Sequence, residues 1–193
     1  HTHELVEYIP SKTKSATKDT NADKVKTVHE LYREAFKVES KSRSDAQESE
    51  EFYKGNQWDT STSSQLDKEE RTAITINEIQ SKVDLLTGFQ EQNRTDMSFA
   101  PTEEGDGAVA PILDAFYKNV EYQNSFPHEE SLVFFDQVVA GRGSFHVYTD
   151  FDEDIQGKII IERLPWKDVV YGPHQRHDAA DCEHITKSKM FSV

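Results

Sequence analysis

Two stretches of this chain carry residue types that do chemistry. His174, His177, Asp178, Asp181, Cys182 and His184 fall close together near the carboxyl end. Imidazole, thiolate and carboxylate are the ligands that zinc and other transition metals take. Their spacing fits no finger pattern, however, and a polar surface loop has the same composition. Hydrolysis would require a nucleophile held against a base that an acid orients. Nothing in the sequence sets Cys182 or a serine beside these histidines in that way. The second stretch is Asp150, Asp152 and Asp154, a D-x-D-x-D run that opens like an EF-hand loop. It does not continue like one. Ile155 stands where the turn-making glycine belongs, and Ile161 stands where the bidentate glutamate belongs, with Glu162 one place late. The flanks read as strands, so a solvated hairpin loop accounts for the acids. The expectation is no catalytic set, no cofactor and no metal, with a metal-binding module or enzyme built on His174–His184 as the alternative.

A third constellation is structural in character. Trp58, Arg71, Asn77, Asn93 and Arg94 lie within the stretch from 52 to 101, FYKGNQWDTSTSSQLDKEERTAITINEIQSKVDLLTGFQEQNRTDMSFAP, with Arg71 and Arg94 flanking its central unit. Gly55 can stop a helix in the left-handed conformation, and Trp58 reads as an anchor into a core. Thr72 to Ile76 alternates and is β-branched, which predicts a short strand. Asn77 can cap a helix with Gln80 in capping-box position, and Ile79, Val83, Leu86 and Phe89 give that helix one apolar face. Asp96 to Ala100 predicts another short strand, ended by Pro101. The paired Arg and Asn residues suit helix capping and salt bridges, and equally the bidentate bonds that fix orientation between subunits.

The elements around this unit follow from the same signals. Leu5, Val6, Tyr8 and Ile9 precede Pro10 and the polar SKTKSATKDT, so residues 1–20 read as a flexible arm. Docking of that arm on a neighbouring subunit through Tyr8 and Ile9 is the functional version. Asn21 caps a helix to about Arg43, and Ser44 opens another that Phe52 and Tyr53 close. A helical turn is expected at Leu66 to Glu70. Residues 108–123 form a helix with Pro111 in its first turn and Ile112, Ala115, Phe116 and Val120 on its buried face. Ser125 caps the next, with Pro127 early, Leu132, Phe135 and Val139 toward the core, and Gly141 as its stop. Ser144 to Asp150 and Lys158 to Leu164 make a hairpin, and Val169 to Tyr171 and Cys182 to Phe191 are further strands. Helices fill the first two thirds and strands the rest, which is an α+β class.

Composition narrows the function classes. Of 193 residues, 35% are hydrophobic and 30% charged, and the net charge is −14. Such a surface repels phosphates, which argues against tight nucleic-acid binding. The single cysteine excludes an internal disulfide. No apolar run reaches the roughly 20 residues that span a bilayer. The first residue, His1, and the strand-like end at Val193 suggest part of a longer protein.

FYKGNQW, then Arg71, then ITIN, then LLTGFQEQNRTDMSFAP resembles the amino-terminal region of phage portal proteins of the short-tailed (podovirus) type. That family carries FY-x-G-x-QW, Arg-x-x-(L/I)TIN and G-x-x-x-QNR-x-D in this order and at about these distances. A helix ending at Gly-x-Gly also matches, at Gly141–Arg142–Gly143. Around 172–181 the family tends to Asp-Pro followed by spaced acids; here Gly172–Pro173 replaces Asp-Pro while Asp178 and Asp181 keep the acids. The resemblance runs from about Phe52 to Ile185. It implies a wing-like α+β region over 21–193 and a structural, non-enzymatic virion protein at one capsid vertex. It implies a homo-oligomeric ring of about twelve subunits with head-to-tail interfaces. Genome DNA would pass through without sequence-specific binding during packaging and ejection, and terminase, scaffold, capsid, tail and head-completion proteins would be partners. Stem, clip and crown regions would lie beyond Val193. Trp58, Arg71, Asn77, Asn93 and Arg94 are then candidate interface positions. A virion interaction domain with a merely similar strand–helix unit is the remaining alternative.

Overall fold

The computed structural model describes residues 3–10, 21–102, 106–152, 155–176 and 178–191. Its class is α+β, with five helices preceding most of the strands. The chain divides into two compact units, His1–Glu48 with Pro165–Val193, and Ser49–Leu164.

In the first unit the leading element is β1 (His3–Pro10), and α1 runs Asn21–Tyr53 as one helix. The sequence predicts a break at Ser44, and none occurs. Ser44 continues the helix because the capping signal competes with good helix formers on both sides, and an interior serine costs little. Ala35, Glu39 and Ala46 are the buried residues of α1. β4 (Val169–Tyr171) and β5 (His184–Phe191) join β1 in an antiparallel sheet of order β1-β5-β4. β1 pairs over its whole length, from His3 opposite Phe191 to Pro10 opposite His184. Val170 and Thr186 are wholly buried in this sheet.

Arg43 ties α1 to the turn before β4. Its guanidinium donates to the carbonyls of Trp166, Lys167 and Val169 at 3.3, 2.7 and 2.9 Å. It also lies over the rings of Phe36 and Trp166, where a planar cation gains from the π face.

The second unit is built round α5 (Phe126–Ala140). α2 (Thr60–Lys68), α3 (Glu78–Gln92) and α4 (Ala110–Gln123) precede it, and the hairpin β2 (Ser144–Asp150) with β3 (Lys158–Leu164) follows. The hairpin bounds are those the alternation predicts. Its register sets Phe145 opposite Arg163 and Asp150 opposite Lys158. Gly55 and Gly141 take the left-handed conformation expected of helix stops, φ +91° and +78°.

Several expectations fail here, each for a tertiary reason. Thr72–Ile76 and Asp96–Ala100 form no ladder, because no strand among the described residues lies beside them. Ser125 precedes α5 in a left-handed conformation, φ +49°, and its side chain makes no cap bond. The predicted turn near Leu66 is a full helix, α2, capped by Asp59. Trp58 is 44% exposed and anchors nothing in a core. Of the predicted apolar face on α3 only Val83 is buried, and on α4 Ile112 and Phe116 lie exposed.

Candidate functional site

The chemistry-bearing stretches are engaged in holding the backbone. Asp181 accepts the amide N–H groups of Gln175 and Arg176, the first at 2.7 Å. Asp178 pairs with the Arg176 guanidinium at 2.6 and 3.0 Å. These bonds lower both carboxyls below their ordinary range, so the acids serve as the loop's acceptors. His174 donates its Nδ1–H to the Gly172 carbonyl at 2.8 Å, since a carbonyl only accepts. Cys182 is buried, and its thiol donates to the His184 carbonyl at 2.9 Å. Burial pushes the Cys182 thiol up, away from the thiolate that a metal or a nucleophile requires. His184 packs on Gly172, where any Cβ would meet the imidazole ring at 2.6 Å. His177 lies outside the described residues. Among the described residues no three His, Cys, Asp or Glu side chains come together as a metal site. In the hairpin loop Asp150 accepts the Asp152 amide at 2.9 Å, a local turn; Asp154 lies outside the described residues.

The five structural candidates are distributed over separate bonds. The Asn77 side chain accepts the Gln80 amide at 3.1 Å and donates to the Tyr53 carbonyl at 2.7 Å. One residue thus caps α3 and fastens it to the end of α1. Asn93 ends α3, donating its side-chain amide to Phe89 O at 2.8 Å. Arg94 donates to Ser131 Oγ at 2.7 Å, and Ser131 donates to Gln90 at 3.0 Å, which holds α3 against α5. Arg94 also lines an open groove of about 620 Å³ with Lys118, Tyr122 and His128. Arg71 is exposed and reaches Glu69 at 3.5 Å. No hydrogen bond or ion pair among the described residues joins Arg71 to Arg94.

A further set of polar contacts joins α4, α5 and β3. Arg163 meets buried Asp136 through two bonds of 2.6 Å, a bidentate pair. The Arg163 amide also donates to Glu129 at 2.7 Å. Asn124 mimics a strand against β3: it donates to Ile159 O at 3.0 Å and accepts from Ile161 N at 2.9 Å. The outer edge of β3 is thereby closed by side chains. Sequence reading missed this set, because a lone Asn after a helix and an Asp on its apolar side carry no motif.

Many apolar side chains of the second unit stay exposed. Leu85, Leu86 and Phe89 on α3, Ile112, Leu113 and Phe116 on α4, and Ile74, Ile76, Met97 and Phe99 in the segments before and after α3 are all exposed. Exposed apolar side chains in this number are surface whose burial against a partner would be favourable. Among the described residues no helix is long and apolar enough to cross a membrane.

The family model for the phage P22-like portal protein matches residues 29–193. No curated protein matches the chain. The match runs from within α1 to the end of β5 and reaches into both units, including the whole stretch from Phe52 to Pro101. The chain therefore belongs to the P22-like phage portal family.

Proposed function

We propose that this chain is a wall segment of a portal ring, a closed head-to-tail oligomer at one vertex of the capsid. Genome DNA passes through it during packaging and ejection, and the packaging motor, scaffold, capsid and tail components dock on it. The subunit has no catalytic role. One observation supports this reading beyond family membership: the apolar residues of α3 and α4 stay uncovered in a single chain. Burying them against a second copy removes apolar surface from water at roughly 25 cal/mol per Å². A chain of charge −14 repels its own copies at long range, so the contact must be apolar and close-fitting to hold. The same charge lets DNA slide past without being gripped.

Within this reading Asn77, Asn93 and Arg94 set the angle at which α3 presents its apolar side, and Trp58 and Arg71 are exposed contact residues. Electron microscopy of the full-length gene product tests it. Rings of about twelve subunits with a central hole are expected; a product that stays monomeric at every concentration and salt condition overturns it.

A further inference from the structure

A strand without a sheet and a sheet edge without a strand lie on different flanks of the second unit. The first is Thr72–Ile76. Burial there has a period of two, as in a strand: Ala73 and Thr75 are half-buried, while Ile74 and Ile76 are 74% and 79% exposed. That is the reverse of a surface strand, whose apolar side faces its own core. Among the described residues the amides of 72–75 make no backbone hydrogen bond.

The second is the outer edge of β2. Ile159, Ile161 and Arg163 direct their backbone groups away from β2, toward Asn124 and Glu129. Their cross-strand partners are Thr149, Val147 and Phe145. In an antiparallel pair such partners point their own N–H and C=O away as well. These three residues therefore present a bare hydrogen-bonding edge, and all are exposed. The edge of β3 is closed by side chains, whereas among the described residues that of β2 is not.

The two features face different ways. On α5, at about 100° per residue, Glu129 and Asp136 lie within about 20° of each other and meet β3. Ser131 and Phe135 lie roughly 130° further round; Ser131 meets α3 and Phe135 meets Tyr53, which bonds Asp84 of α3. The hairpin and α3, with the segment leading into it, thus occupy different flanks of α5. A ring joined head to tail needs two unlike, complementary surfaces placed in this way.

We propose that Thr72–Ile76 of one copy adds to the outer edge of β2 of the next, extending the hairpin to three strands across each subunit boundary. The inference rests on the ring reading above and names its interface. An antiparallel alignment with Thr72 opposite Thr149 and Ile74 opposite Val147 sets Ile76 beside Phe145, so exposed apolar residues cover one another. The same register sets Arg71 opposite Asp150, an ion pair that fixes the direction of the added strand. Main-chain bonds supply affinity and the alternating side chains supply register, as in other strand additions.

Paired cysteines test it in the full-length product. Ile74→Cys with Val147→Cys, oxidised in assembled rings, should give a ladder of covalent multimers on a non-reducing gel. Ile74→Cys with Tyr148→Cys, on the other face of β2, should give none. Val147→Pro removes an outward N–H that β3 does not use, so helix content and melting should hold while the ring fraction falls about tenfold or more. Rings of the Ile74→Cys with Val147→Cys product that give no ladder, or Val147→Pro rings at wild-type yield, overturn the strand addition and leave the ring reading standing. A wild-type product that forms no rings overturns both.

Discussion

Single residues in this protein act mostly by closing bonds that the backbone leaves open. Asp136 is buried with a carboxylate that Arg163 answers in bidentate geometry. Removing one partner leaves a buried charge alone, so Arg163→Ala should cost about 3–5 kcal/mol, read as a lower urea midpoint at unchanged slope. Replacing the pair by packed apolar residues should cost far less. Asp59 acts at the surface: the hydroxyl and amide of Ser61, with Thr62, hold its carboxyl down at about 2, against an ordinary value of 3.8. A group lowered on folding contributes fully above its unfolded value and loses that contribution as pH falls through the folded one. Protection of the α2 amides, taken relative to their intrinsic exchange rates, should therefore be greatest at pH 5, fall below pH 4 and level off near pH 2, and Asp59→Ala should abolish that fall.

At the scale of elements, close approach decides what a position tolerates. Gly143 follows the end of α5, and a Cβ there would meet the Val133 carbonyl and, at 2.7 Å, its Cγ1. Backbone cannot yield as a flexible side chain does, so Gly143→Ala should lower stability by about 1–3 kcal/mol, seen in thermal unfolding. Gly157 meets two demands at once: its φ is +82°, and a Cβ would meet Thr149 and Phe151. Gly157→Ala should loosen the hairpin tip and speed exchange across β2 and β3 while leaving α3 and α5 unchanged. Such locality follows from how the unit is assembled, with the hairpin held to α5 through Arg163 and Glu129 and to the end of α4 through Asn124.

At the scale of the whole molecule, the proposed ring would cover the exposed apolar residues of α3 and α4. Phe89→Glu or Phe116→Glu places a charge where a neighbour would pack. Each should leave the melting temperature of the separate subunit near wild type, since both side chains are already exposed, and should reduce rings to monomers in native mass spectrometry. The contrast with Arg163→Ala, which should destabilise the subunit itself, separates assembly from stability.

Local rules reached a long way along this chain. Asn77 before a helix, Gly55 and Gly141 as stops, and the alternation of Ser144–Asp150 against Lys158–Leu164 each determined an element, because capping, left-handed glycine and period-two burial act over a few residues. The motifs in Phe52–Pro101 identified the family for the same reason: they are contiguous. What lies between distant segments was not legible. The continuity of α1 through Ser44, the clasp of Arg43 on the 166–169 turn and the pairing of Arg163 with Asp136 depend on which surfaces meet after folding. Thr72–Ile76 shows both sides of that boundary: its residues encode a strand, but a strand needs a neighbour, and only the tertiary structure decides whether the same chain supplies one.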